Sequence, residues 1–312
     1  MKVHEELNTL DSSKFRGVAL GNFDGVHLGH QQLIHTLVEK SKQYNIDSCV
    51  YTFRNHPQEY ITGEGPQEIT NHDMKIMLFQ NFKIDTVVFD EFNKDIMSKS
   101  PEAFIEDILV KGLNSKFVVV GFDYRFGFKA KGDVKLLKTL GKKYNFVVFE
   151  IPPVLMYSDK ISSTRIRNAI EEGEINLSNL LLGRYYSIYG KVIHGMGRGK
   201  FLGYPTANIQ IQANWVIPKD GVYATFVKIK SQYYKGATCV GTNPTFDGTD
   251  RTIETFIIDF KGSLYDEFIE IQFVNRLREN IKFSNVEELT TQMMQDVENS
   301  KNYLQGKQIM LK

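Results

Sequence analysis

Hydrophobic residues in the first 150 positions fall into short β-branched runs at 17–20, 48–53, 86–89, 117–120 and 146–149. The segments between them, such as 31–44 and 101–111, repeat apolar residues at helical spacing. Strand and helix therefore alternate about every 30 residues, the length of one β-α-β unit. This predicts an α/β doubly wound parallel sheet of Rossmann-like type with helices on both faces. Ligands in such folds sit beyond the C-terminal ends of the strands, so the turns that leave those strands are where chemistry is expected.

From Gly183 the pattern changes to Tyr- and Val-rich alternating runs at 186–193, 222–229, 234–240, 252–260 and 268–273, broken by Gly, Asn, Asp and Pro. That spacing predicts a small antiparallel β-barrel or sandwich. The stretch 284–304 opens with Ser284 and Asn285, carries Glu287 and Glu288 early and continues at helical spacing, which predicts a capped C-terminal helix. A boundary near 182–185 divides the 312 residues into domains 1–183 and 184–312, with no internal repeat and no low-complexity segment.

Charge narrows the partners. Lys and Arg number 38 against 37 Asp and Glu, a formal net charge of +1, so no bulk attraction to nucleic acid or acidic membranes is expected. The start, Met1-Lys2-Val3-His4-Glu5-Glu6, lacks a signal-peptide pattern, and no apolar run reaches the ~18–20 residues of a membrane span. A cytoplasmic protein is expected, with no nucleic-acid, membrane or obligate protein partner. The two cysteines, Cys49 and Cys239, each lie in an apolar strand-like run, which predicts buried thiols and neither a disulfide nor a metal site.

The first run leads into Gly21-Asn22-Phe23-Asp24-Gly25-Val26-His27-Leu28-Gly29-His30 at a strand-to-helix turn. Glycines admit close backbone approach, the helix N-terminus presents N–H groups to phosphate, and His27 and His30 at i, i+3 share a face. A single histidine here could merely satisfy nearby backbone. His-x-Gly-His directly after the first strand, however, resembles the signature of the nucleotidyltransferase superfamily, which implies attack on the ATP α-phosphate with release of pyrophosphate. A second piece, Ile161-Ser162-Ser163-Thr164-Arg165-Ile166-Arg167, places hydroxyls, helix N–H groups and arginine forks where β- and γ-phosphates can be held, although alone it is only a helix start. Met97-Ser98-Lys99-Ser100 imitates the second signature of class I aminoacyl-tRNA synthetases, but it precedes the fourth strand and reads as an ordinary helix start before Pro101.

The second constellation runs from His194 through Gly195-Met196-Gly197-Arg198-Gly199-Lys200-Phe201-Leu202-Gly203-Tyr204-Pro205-Thr206-Ala207-Asn208. Phe201 after Gly199-Lys200 excludes a P-loop, and a glycine-rich loop by itself could be no more than a flexible connection. Thr206 and Asn208 add oxygen donors two residues apart beside it, which suits a Mg²⁺–nucleotide complex. Glu254, in a strand with largely apolar neighbours, would be partly desolvated and so suited to act as a general base; standing alone it would read as an outward-facing strand glutamate.

Taken in order, these motifs, with Gly121-Phe122-Asp123-Tyr124-Arg125-Phe126-Gly127, Leu182-Gly183-Arg184, Gly221-Val222-Tyr223 and Pro244-Thr245-Phe246, resemble the prokaryotic bifunctional riboflavin kinase/FAD synthetase family over nearly the whole chain. The resemblance implies that riboflavin is phosphorylated to FMN in the C-terminal domain and FMN adenylylated to FAD in the N-terminal one, with ATP and Mg²⁺. It assigns Gly21, Asn22, Phe23, Asp24, His27, His30, Ser163, Thr164 and Arg167 to the adenylyltransferase ATP, and Asp123, Tyr124, Arg125 and Phe126 to its flavin. It assigns Gly195, Gly197, Gly199, Lys200, Gly203, Thr206 and Asn208 to the kinase nucleotide, Thr206 and Asn208 also to the metal, and Glu254 to the base that deprotonates the riboflavin 5′-hydroxyl. Phe53-Arg54-Asn55-His56-Pro57 and Cys239 depart from the family's usual residues, away from those positions. Two rivals share the fold: a flavin-binding regulator that has lost the chemistry, and an adenylyltransferase for another small phosphate with the barrel as a binding module. Intact His27, His30, Asn208 and Glu254 argue against the regulator.

Overall fold

Every residue of strand β2 (Arg16–Leu20) is buried, as a central parallel strand covered on both faces requires. In the computed structural model, which describes residues 1–195, 203–212, 214–245 and 248–308, β2 lies inside a six-stranded sheet. Its other members are β1 (Lys2–His4), β3 (Asp47–Phe53), β4 (Thr86–Asp90), β5 (Ser115–Gly121) and β6 (Val147–Ile151). All pairings are parallel, in the order β1-β4-β3-β2-β5-β6. The strand alternation sorts the core into two layers. Val18, Leu20, Tyr51, Val118 and Val120 face Ile105, Leu109 and Leu137, while Ala19, Val50, Val87 and Val119 face Ile34, Leu37 and Phe79. β2 has β3 on one side and β5, reached by a long crossover, on the other. The turns after β2 and β5 therefore flank the point where strand order reverses, the ligand crevice of such sheets.

After a short hairpin of β7 (Leu155–Met156) and β8 (Asp159–Lys160) come helices Ser163–Glu171 and Ile175–Leu182. The second half is a closed antiparallel barrel of β9 (Tyr186–Ile193), β10 (Thr206–Ile209), β11 (Gly221–Ile229), β12 (Gln232–Thr245), β13 (Gly248–Ile257) and β14 (Phe268–Arg278), resolving the expectation of barrel or sandwich. Its interior holds Tyr223, Ile253 and Phe273 together with a threonine ladder, all fully buried. Thr225 Oγ1 lies 2.8 Å from Thr238 Oγ1, which lies 2.9 Å from Thr255 Oγ1, so the buried hydroxyls satisfy one another across three strands. The last helix, Val286–Tyr303, begins with a capping box: Asn285 Oδ1 accepts from Glu288 N at 2.8 Å, and Glu288 Oε2 accepts from Ser284 N at 3.0 Å.

The strands absent from the sequence reading, β1, β7, β8 and β10, span two to four residues each, too few for alternation to register. By packing, the chain divides into units Met1–Ser163 and Thr164–Lys312. Helix Ile175–Leu182 belongs to the second: Asn179 Nδ2 donates to Phe273 O at 2.9 Å, and Asn179 Oδ1 accepts from Tyr186 N at 2.6 Å. The periodicity changes at Gly183 because that is where the αL residue ends the helix and the first barrel strand begins.

Candidate active sites

In the first unit β2 delivers a turn built from left-handed backbone, with φ of 49° at Phe23, 81° at Gly25 and 39° at Val26. Such strain in a β-branched residue persists only where neighbours hold it. Asp24 does so: its buried Oδ1 accepts from Ile69 N at 3.0 Å and Thr70 N at 3.1 Å, while Gly25 N donates to Thr70 Oγ1 at 2.8 Å. Ser163 Oγ donates to the Asp24 carbonyl at 2.8 Å.

His27 caps the helix Leu28–Tyr44, its Nδ1 accepting from His30 N at 3.3 Å. The two imidazoles stack with centroids 3.6 Å apart at 15°. Gly29 makes room for this: a Cβ there would lie 3.1 Å from the His27 ring, which accounts for the small residue inside His-x-Gly-His. Phe23 is fully buried beneath, its ring 5.2 Å from that of His30, so of the predicted nucleotide contacts it offers only backbone, with Gly21 and Asn22 at the exit of β2. Thr164 is exposed and Arg167 half-buried on helix Ser163–Glu171.

The turn after β5 carries the predicted flavin residues. Asp123 pairs with Lys160 at 3.3 Å, and Tyr124 stacks on Phe126 at 5.8 Å and 18°. Phe126 is itself buried against Phe104, and burial raises the Tyr124 hydroxyl above the usual phenol range, so it stays a neutral donor. Asp123, Tyr124 and Arg125 line a cleft of about 570 Å³ with Phe122, Lys135 and Glu150. Met97 and Ser98 end the short helix Lys94–Ser98, and Ser100 starts the next one, its Oγ accepting from Ala103 N at 3.1 Å, while Lys99 between them pairs with Asp107 at 2.6 Å.

In the barrel, alternation along β13 puts Ile253 and Thr255 inside and Glu254 and Phe256 on the outer face. Glu254 does face outward from the strand, yet it is half-buried, because the outer face is covered by the last helix. Between them lies a cavity of about 460 Å³ lined by Glu254, Thr206, Cys239 and Arg278 and, from the helix, Leu289 and Met293. Across the strands Glu254 is paired with Asn208 on β10 and Cys239 on β12. Thr206 Oγ1 donates to Glu254 Oε2 at 3.2 Å. Gly195 sits against Asn208, where a Cβ would fall 2.3 Å from Nδ2. Gly203 has φ of 83° and open space around it. Gly197, Gly199 and Lys200 lie outside the described residues, as does Phe246.

Cys239 corrects an expectation. It is exposed, whereas Cys49 is buried, because β12 alternation turns residue 239 out of the barrel into the cavity. Surrounding protein and then the Glu254 carboxylate push its thiol up to about 11. Neither cysteine is in a disulfide. Among the described residues, no group of three or more His, Cys, Asp and Glu side chains could hold a metal ion. Sequence reasoning missed Thr70 and the helix wall of the cavity, and it read Gly29 for close backbone approach where the structure shows it making room for the His27 ring.

A nucleotidyltransferase-type sheet and a separate closed barrel in one chain define a two-domain transferase. The chain belongs to the bifunctional riboflavin kinase/FMN adenylyltransferase family. Residues 11–165 match the FAD synthetase family model and 182–304 the riboflavin kinase model. A bifunctional riboflavin kinase/FMN adenylyltransferase of Buchnera aphidicola is 40% identical over 286 residues, 90% of each chain. The protein of that name from Haemophilus influenzae is 35% identical, covering 92% of this chain and 93% of its own. A crystal structure from Streptococcus pneumoniae, described as a macrolide-efflux protein, shares the fold with a TM-score of 0.88 at 32% identity, covering 96% of this chain and 98% of that one. No helix among the described residues here is long and apolar enough to cross a membrane.

Proposed function

We propose that the chain makes FMN and then FAD in the cytoplasm, with residues 184–312 carrying the kinase and residues 1–183 the adenylyltransferase. In the barrel, Glu254 takes the proton of the riboflavin 5′-hydroxyl as that oxygen attacks the γ-phosphorus of ATP in line. The bond to the bridging oxygen breaks and ADP leaves. The observation that carries this reading is the placement of Glu254 opposite Asn208, with the Thr206 hydroxyl on its Oε2, at the wall of a largely apolar cavity of flavin-accommodating size. The Thr206 hydroxyl and the Asn208 amide oxygen are hard donors that fit Mg²⁺, an ion that keeps water and phosphate oxygens in its shell. Bound there, Mg²⁺ supplies charge neutralisation on the phosphates. Gly195 and Gly203 are assigned to the kinase nucleotide, as are Gly197, Gly199 and Lys200 from outside the described residues.

In the sheet, an oxygen of the FMN phosphate attacks the α-phosphorus of a second ATP and pyrophosphate leaves. That nucleophile is already ionised near neutral pH, so no strong base is required and catalysis falls to positioning and charge stabilisation. The stacked His27 and His30 and the backbone of Gly21 to Asp24 hold the α-phosphate side. Ser163, Thr164 and Arg167 hold the β- and γ-phosphates, and Asp123 to Phe126 border the flavin. The near-neutral net charge fits small-molecule partners, namely riboflavin, FMN, FAD and ATP.

Two assays test the units separately. Riboflavin with Mg-ATP should yield FMN and ADP, and FMN with Mg-ATP should yield FAD and pyrophosphate. Folded protein that lacks either product pair contradicts the corresponding assignment.

A further inference from the structure

Arg278, the last residue of β14, and Asp296, on the last helix, meet fork to fork: Nε donates to Oδ1 at 2.8 Å and Nη2 to Oδ2 at 2.5 Å. Gln292 Nε2 donates to the same Oδ1 at 2.9 Å, and Arg278 Nη1 donates to the Glu279 carbonyl at 2.7 Å. The Asp296 side chain is 8% exposed and that of Arg278 24%. Both line the Glu254 cavity. On the helix, Leu289, Met293 and Val297 fall on the face that bears Asp296 and form the apolar wall opposite the strands.

A bidentate pair in which the carboxylate is nearly withdrawn from water adds little net stability, because desolvation offsets the attraction. Its geometry is nonetheless specific, and removing one partner leaves a stranded charge. We propose that Asp296 is a positioning residue for the kinase: it holds the Arg278 guanidinium, and through it the last helix, in place as one wall of the cavity that receives riboflavin. The inference rests on the assignment of that cavity to riboflavin.

The test uses the full-length protein with Asp296→Asn, which keeps shape and removes charge, and Asp296→Glu, which keeps charge. Riboflavin binding is titrated by flavin fluorescence alongside kinase kcat and KM. Asp296→Asn should raise the riboflavin Kd and KM by roughly tenfold or more with kcat within about threefold, since ground-state binding is what the wall provides. Asp296→Glu should recover most of the loss, and FMN adenylylation should be unchanged in both. A folded Asp296→Asn protein with wild-type Kd and KM, altered only in melting temperature, overturns the proposal. If Asp296→Asn does not fold, Arg278→Lys, which keeps charge and loses the fork, should show the same rise in KM; wild-type KM there overturns it equally. Wild-type protein that binds riboflavin without phosphorylating it contradicts the kinase assignment and leaves the titration to decide Asp296. Wild-type protein that does not bind riboflavin overturns both.

Discussion

Thr206 Oγ1 donates to Glu254 Oε2 across 3.2 Å between neighbouring strands, so the hydroxyl proposed for the metal–nucleotide complex also orients the carboxylate proposed as base. Glu254→Gln keeps the shape and the bond to Thr206 but cannot take a proton. Its riboflavin kinase rate should fall by about 10²–10⁴, while adenylylation of added FMN stays at the wild-type rate. Steady-state rates of the two half-reactions on one preparation check this. Kinase activity within a few-fold of wild type would remove Glu254 as base.

The stacked histidines give the opposite phenotype. His27→Ala with His30→Ala should abolish FAD formation while FMN accumulates, because each lost phosphate contact that tightens in the transition state commonly costs ~10²–10³ in kcat. Loss of the His27 cap should also lower stability by about 1 kcal/mol, measurable by urea titration. Wild-type FAD output from the double variant would return both side chains to a purely structural role.

Gly195→Ala should impair the kinase without touching the adenylyltransferase. Its Cβ would fall 2.3 Å from Asn208 Nδ2, so that side chain must move away from its place opposite Glu254. A rise in the Mg-ATP KM of the kinase is the expected readout. An unchanged KM would mean that Asn208 has room to shift without leaving the nucleotide.

Cys239 should be a slow but site-selective target for alkylation. Only the thiolate reacts, and with its pKa pushed up to about 11 by the protein surrounding the cavity and by the Glu254 carboxylate, the reactive form is scarce at pH 8. The alkylation rate should therefore climb about tenfold per pH unit from pH 8 towards pH 10. Riboflavin should protect, and the modified protein should lose kinase activity alone. Mass spectrometry locates the adduct; modification that is fast at pH 7, or that riboflavin does not slow, would contradict the cavity assignment.

The two architectures were legible because burial on both faces of a parallel sheet and the alternation of a barrel each leave a period in the chain, and because the histidine motif is contiguous. The partial desolvation expected of Glu254 agrees with its half-buried place, but what buries it was not legible. Apolar neighbours on β13 suggested an embedded carboxylate, whereas those neighbours fill the barrel and Glu254 faces the helix outside it. Cys239 failed for the same reason, since alternation alone does not say which face of a strand a later helix will cover. The contacts of Asp24 with Ile69 and Thr70, and of Arg278 with Asp296, join residues far apart in sequence, and no local pattern announces them.

The most direct measurement is chromatography of the products formed from riboflavin and Mg-ATP by the wild type and by Glu254→Gln, with FMN supplied to the variant in a parallel reaction. The wild type should give FMN followed by FAD. The variant should form FMN from riboflavin about 10²–10⁴-fold more slowly, yet make FAD from added FMN at the wild-type rate. A wild type that leaves riboflavin unchanged, or a folded variant that fails equally with riboflavin and with FMN, would contradict two separate transfers carried by one chain.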